Sequence, residues 1–152
     1  AGGTGGDDMH PVVGFNFKYP NLQAAVALAQ LDELDERLEH ARLRQRWYRE
    51  FLDGCPGLSF PGGGGDNEEA ILWSDILIED RDPVCQALDA AAIGYRRFYF
   101  PLHRQEPYAA PDDGFPNALH VSTRLLWLPS ALSLTRAQAE RTATVIRQAL
   151  DG

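Results

Sequence analysis

The chain has 152 residues, which suits one domain of ordinary size, and 44% of them are hydrophobic, enough to fill one core and too many for a disordered chain. A formal net charge of −8 sets it against duplex DNA or anionic membrane as main partner, because both repel an acidic surface. No apolar run reaches the length of a membrane span, so the expectation is a soluble, cytoplasmic chain without a leader.

Residues 1–13 begin Gly-rich and are expected to be flexible, with the domain proper over 14–152. Gly14-Phe15-Asn16-Phe17-Lys18-Tyr19-Pro20 is aromatic but bounded by Gly and Pro, and reads as an extended loop. Asn21 is a candidate N-cap, and no Gly or Pro follows until Gly54, so the pattern predicts one long helix. Its first part, Ala24 to Leu31, is apolar nearly all round and is expected to be buried on more than one side; from Asp32 the helix turns amphipathic. Gly54 is a good residue just past the helix end, and Pro56 forbids continuation.

Leu58 to Pro61 reads as a short edge strand, Gly62 to Asn67 as a flexible loop, and Ile71 to Glu79 as a strand rich in β-formers. Asp82-Pro83 opens a short helix that Gly94 closes, and Tyr95 to Phe100 is a second strand. Pro101 to Pro116 is an irregular loop. A short helix is expected over Asn117 to Leu126, then an apolar turn at Leu128-Pro129-Ser130. Thr135-Arg136-Ala137-Gln138 is a capping box for the last helix, with Ala139, Thr142, Val145, Ile146 and Leu150 as its buried stripe. The order predicts a small α+β domain: a long N-terminal helix plus a small helix-covered sheet.

Chemistry is sparse. Cys55 and Cys85 fall in no C-x-x-C or zinc spacing and read as free thiols, and no metal site is expected. Thirteen of the fourteen basic residues are Arg; the single lysine is Lys18, the one amine able to form a Schiff base. There is no P-loop, no G-x-G-x-x-G after a strand, no H-E-x-x-H and no G-x-S-x-G.

Three stretches together carry a resemblance. The first is Gly14-Phe15-Asn16-Phe17-Lys18 with Asn21-Leu22-Gln23-Ala24-Ala25 and Leu28-Ala29-Gln30-Leu31. The second is Ala92-Ile93-Gly94 with Arg97-Phe98-Tyr99-Phe100-Pro101-Leu102-His103, and the third is Leu128-Pro129-Ser130 before Leu134-Thr135. In this order and spacing the chain, from Gly14 to Leu150, resembles the DegT/DnrJ/StrS-type aminotransferases, which use pyridoxal 5′-phosphate (PLP) to aminate keto sugars, usually nucleotide-linked. The resemblance implies the C-terminal small domain of fold-type I PLP-dependent transferases. It also implies a partner: a large domain or subunit that carries the Schiff-base lysine and most cofactor ligands, in a homo- or hetero-oligomer. PLP would be shared with that domain.

Residue by residue, the resemblance implies that Asn16 reaches the PLP phosphate of a neighbouring subunit; on the residues alone it reads as a turn former. Lys18 does not replace the Schiff-base lysine. It matches a basic residue, usually Arg, that helps hold a carboxylate or phosphate, and Lys lacks the bidentate fork for that task. The resemblance implies that the loop of His103 lies at the mouth of the substrate site; Tyr99, also a substrate-binding candidate, could meet phosphates, as could Arg96, Arg97 and Arg124; no catalytic residue is expected in the chain itself. His10, His40 and His120 read as structural, and Trp47, Trp73 and Trp127 as core. Two functions stay open: completing the active site of a lysine-bearing domain, or a non-catalytic scaffolding subunit of an intact aminotransferase.

Overall fold

A computed structural model describes residues 20–61 and 72–151. The expected Gly-rich segment over 1–13, Asn16, Lys18 and the Gly62–Asn67 loop lie outside the described residues.

Helices α1 (Asn21–Leu31) and α2 (Leu34–Leu52) lead into strands β1 (Leu58–Ser59) and β2 (Ser74–Ile78), helix α3 (Asp82–Ala90) and strand β3 (Arg96–Arg97). Three short 3-10 turns follow, then α4 (Pro116–Arg124), β4 (Leu125–Leu128) and α5 (Arg136–Asp151). The four strands form one antiparallel sheet in the order β1-β2-β4-β3. Period-two alternation sends Ser74, Ile76 and Ile78 to one face, where they meet Leu126 and Leu128. On that face Tyr48 and Leu52 of α2, Val84, Cys85 and Leu88 of α3, and Ala139, Ala143 and Ile146 of α5 close the core. The α+β, helix-covered sheet is therefore as predicted.

Local signals explain most element ends. Gly54 sits at φ +70° just past α2, where a side chain would be strained. The capping box forms: Thr135 N–H donates to Gln138 Oε1 at 2.9 Å, and Gln138 N–H to Thr135 Oγ1 at 3.3 Å. In α5, Ala139, Thr142 and Ile146 are buried as expected, while Val145 and Leu150 are only partly so. Helix α3 stops at Ala90, earlier than Gly94 suggested, and the left-handed turn falls on Ala92 at φ 52°.

Three expectations need correction. The single long helix is two, separated at Asp32–Glu33. In an unbroken helix Asp32 would stack against Asp35 and Glu36 as like charges one turn apart. The break instead puts Asp35 and Glu36 in the first turn of α2, where the helix dipole favours them. Second, α1 buries no residue: Leu22, Val26, Leu28 and Leu31 are all exposed. Third, the helix expected over Asn117–Leu126 ends at Arg124, and Leu125-Leu126-Trp127-Leu128 is a central strand buried on both faces. A four-residue apolar run has no period to read, so packing decides its state. With β4 in the middle, the strand expected over Tyr95–Phe100 shrinks to an edge at Arg96–Arg97, extended by Phe98 N–H to Leu125 O at 3.2 Å.

Two arginines, Arg44 buried and Arg81 partly buried, fasten the frame. Arg44, 2% exposed, donates Nε to Ser74 Oγ at 3.0 Å, Nη1 to Ser130 O at 2.7 Å and Nη2 to Leu72 O at 2.9 Å. Arg81 Nη1 donates to Ser122 O and Leu125 O at 2.8 and 3.0 Å, holding the α4–β4 junction. Burial lowers the pKa of both guanidinium groups from their ordinary value.

Candidate functional site

The segment after β3 builds a cleft of about 630 Å3 against α4. Tyr99, Phe100, Pro101 and Leu102 make one wall and Ala118 and Val121 the other, with Gln105, Asn117 and Ser122 as the polar lining. Prolines at 101, 107, 111 and 116 fix the backbone of this loop and favour short turns over a helix. Tyr99, a substrate-binding candidate, lies on the cleft wall, half-exposed and edge-on to Trp127 with ring centroids 5.2 Å apart.

His103 occupies a different position from the cleft lining. It is 5% exposed, with Nε2 3.1 Å from Asp112 Oδ1 and its ring stacked on Phe115 at 4.4 Å. Asp112 also accepts both arms of Arg104, Nε at 3.0 Å and Nη2 at 2.5 Å, and these bonds pull its carboxyl down to about 2. His103 O in turn accepts Ala110 N–H at 3.0 Å. His103, Arg104 and Asp112 thus close the 101–115 loop on itself and hold the cleft wall in shape. Asp112 gave no sequence signal, because its partners are eight and nine residues away across irregular turns.

The candidate arginines each have a neighbour within the domain. Arg97 pairs with Asp82 at 2.7 Å, Arg124 Nη1 contacts His120 Nδ1 at 3.1 Å, and Arg96 lies over the Tyr99 and Trp127 rings at 4.7 and 5.4 Å. His40 Nε2 meets Leu134 O at 3.0 Å, in keeping with a structural role.

The second face of the sheet is the unexpected feature. One cross-strand row holds Asp75, Trp127 and Arg96. Trp73, expected in the core, is 46% exposed and stacks on the 8%-exposed Trp127 at 5.2 Å with a 13° tilt. Asp75 Oδ1 is sealed from solvent and has no hydrogen-bond partner among the described residues. Burial alone pushes its carboxyl up from 3.8 to about 6.

The described residues include no lysine, and no cation is among the residues that line the cleft. No group of three or more His, Cys, Asp or Glu among them could hold a metal, and no helix among them is long and apolar enough to cross a membrane.

The comparisons with known proteins fall on one family. The model of the DegT/DnrJ/EryC1/StrS aminotransferase family matches residues 3–147. The chain belongs to this family. Its members depend on PLP, and their fold is the fold-type I transferase whose small domain is described above. GDP-perosamine synthase of Caulobacter vibrioides is 32% identical over 148 residues, covering 92% of this chain and 40% of that protein. dTDP-3-amino-3,4,6-trideoxy-alpha-D-glucose transaminase of Streptomyces venezuelae is 29% identical, covering 91% and 38%. Among solved structures, S. venezuelae DesV in complex with ketimine intermediate superposes with a TM-score of 0.80 at 27% identity, covering 86% of this chain and 36% of that one. An aminotransferase from Brucella abortus gives 0.74 at 31% identity, covering 84% and 35%. The chain spans about 40% of the length of the curated relatives it matches.

Proposed function

We propose that this chain supplies the small-domain part of a PLP-dependent aminotransferase acting on a nucleotide-linked keto sugar, completing the active site of a lysine-bearing domain. The observation that carries the reading is the pairing of family membership with the contents of the chain: it matches about 40% of its relatives, and its one lysine lies in the Gly14–Lys18 motif. Relatives are named for GDP-, UDP- and dTDP-linked sugars, which favours a nucleotide-linked substrate.

In this reading Asn16 donates a hydrogen bond to the cofactor phosphate and Lys18 supplies a cation toward a substrate carboxylate or phosphate. Tyr99 contributes the aromatic wall facing the sugar. His103 serves the substrate through the loop that it and Asp112 hold.

The test is a chimera: GDP-perosamine synthase of C. vibrioides with this chain in place of its own matching segment. Asn16→Ala is expected to weaken PLP binding by about 10- to 100-fold, the equivalent of one charge-assisted hydrogen bond of roughly 1.5–3 kcal/mol. The melting temperature of the cofactor-free protein should not move. Unchanged PLP affinity would make Asn16 a turn residue and favour the scaffolding alternative.

A further inference from the structure

We propose that Arg96 is a positioning residue for Tyr99: its guanidinium clamps the Tyr99 ring against Trp127, so that the cleft wall meets the sugar with its aromatic group already set. The inference rests on the functional reading above, in which Tyr99 faces the sugar, and names what holds Tyr99 there.

Backbone pairing does not hold it. Strand β3 ends at Arg97, and the last bond to β4 is Phe98 N–H to Leu125 O at 3.2 Å. Among the described residues no backbone hydrogen bond follows at Tyr99 or Phe100; the next is Arg104 N–H to Pro101 O at 2.9 Å. In an extended strand Phe98 and Tyr99 would point to opposite faces. Here both rings reach Trp127, with centroids 5.7 and 5.2 Å from it, so the chain leaves the pleat after Phe98. Side-chain contacts therefore decide where the Tyr99 ring goes, and the ring is still 45% exposed.

Trp127 is the fixed part of the arrangement. It lies on the central strand, 8% exposed, with Trp73 stacked on it at 5.2 Å. Arg96 is its direct cross-strand partner. The Arg96 Cζ sits 4.7 Å from the Tyr99 centroid and 5.4 Å from the Trp127 centroid, so one planar cation spans both rings. Arg96 is not among the residues that line the cleft, whereas Tyr99 is, so Arg96 acts on a bound sugar through Tyr99. Without the cation Tyr99 keeps an edge contact with Trp127 and a tilted one with Phe98, and the ring would have to be ordered at the moment of binding, at a cost in affinity.

The variants are Arg96→Gln, which removes the cation, and Arg96→Lys, which keeps it without the planar group. Arg96 is exposed, so both should melt close to the parent. In the chain, nuclear Overhauser contacts between the Tyr99 and Trp127 rings should weaken in Arg96→Gln and persist in Arg96→Lys. In the chimera, titration with GDP-perosamine, the compound for which the parent synthase is named, reads the effect on binding. Arg96→Gln is expected to weaken affinity by about 3- to 10-fold, and Arg96→Lys to restore most of it. In a Tyr99→Ala background Arg96→Gln should change nothing further, because the ring it positions is gone. A merely structural Arg96 would not produce this dependence.

An Arg96→Gln loss of the same size with and without Tyr99, or ring contacts that Arg96→Gln leaves unchanged, overturns the inference. An affinity indifferent to Tyr99→Ala overturns it as well. PLP loading of the chimera is read in the same samples. Loading together with any of these results sinks the inference and leaves the functional reading standing. Coupling between Arg96 and Tyr99 without loading supports the inference while the functional reading fails.

Discussion

Replacing Arg44 is the sharpest test of how the frame is held. Its guanidinium is buried and ties α2 to three points distant in sequence: Ser74 on β2, Leu72 just before it, and Ser130 after β4. Arg44→Met keeps much of the volume and removes the charge, so the desolvation cost of the cation disappears with it. What remains is a buried hydroxyl and two carbonyls without their donor. At about 1 kcal/mol for each, the low end for an unsatisfied group, the loss is roughly 3 kcal/mol. In a chain of this size that corresponds to about 6–12 °C of melting temperature. Arg44→Lys keeps the charge but not the planar fork, and should recover less than half of the loss. Urea and thermal unfolding give the stabilities. Near-ultraviolet circular dichroism reports the stacked Trp73–Trp127 pair, which Leu72 and Ser74 flank and which should weaken in both variants. A loss under about 1 kcal/mol for Arg44→Met, or a lysine variant as stable as the parent, would refute the reasoning.

Asp75 should make the chain less stable as pH rises. Its folded value of about 6 exceeds the ordinary 3.8, so the folded state holds the proton more tightly; the stabilisation is complete below 3.8 and lost by about 6. The shift corresponds to at most ~3 kcal/mol, and solvent around the half-buried carboxyl reduces this to ~1 kcal/mol. Unfolding followed between pH 4 and 7 should show the decline in the parent chain and not in Asp75→Asn. Asp112 works in the other direction: its carboxyl, held near 2, steadies the 101–115 loop above the ordinary carboxylate range and releases it as pH falls through about 2. Asp112→Ala should speed hydrogen exchange of the Ala110 amide while the core amides of β4 keep their protection. Leu126→Ala, in the middle of the sheet, should cost about 2–5 kcal/mol through the cavity it leaves, measured by urea unfolding.

The helices were legible because they carry repeated signals. Thr135 and Gln138 cap α5, Gly54 closes α2, and the apolar stripes recur at helical spacing. The sheet was half-legible: β2 alternates and is β-rich, but β4 is four apolar residues with no pattern, and its place between β2 and β3 is set by long-range pairing. The break at Asp32–Glu33 had a signal in the acidic cluster, where Asp35 and Glu36 suit a helix start better than a helix middle. In the candidate site, the resemblance named Tyr99 and His103 as candidates, and the structure places Tyr99 on the cleft wall. The ties of His103 to Asp112 and Phe115 were not, since loop partners are chosen by turn geometry rather than by spacing. Arg44 and Asp75 were hidden for a related reason: on a helix face or a strand their residue types read as solvated charges, and only the assembled sheet buries them.

The proposed function has this chain complete a PLP enzyme whose covalent anchor is a lysine of the large domain. Its most direct measurement is borohydride reduction of PLP-treated protein, followed by peptide mapping of the modified lysine, on the chain and on the chimera side by side. The account predicts no specific modification of Lys18 in the chain, and stoichiometric modification of the large-domain lysine in the chimera. Stoichiometric labelling of Lys18 in the chain, or a folded chimera that takes up no PLP, would contradict it.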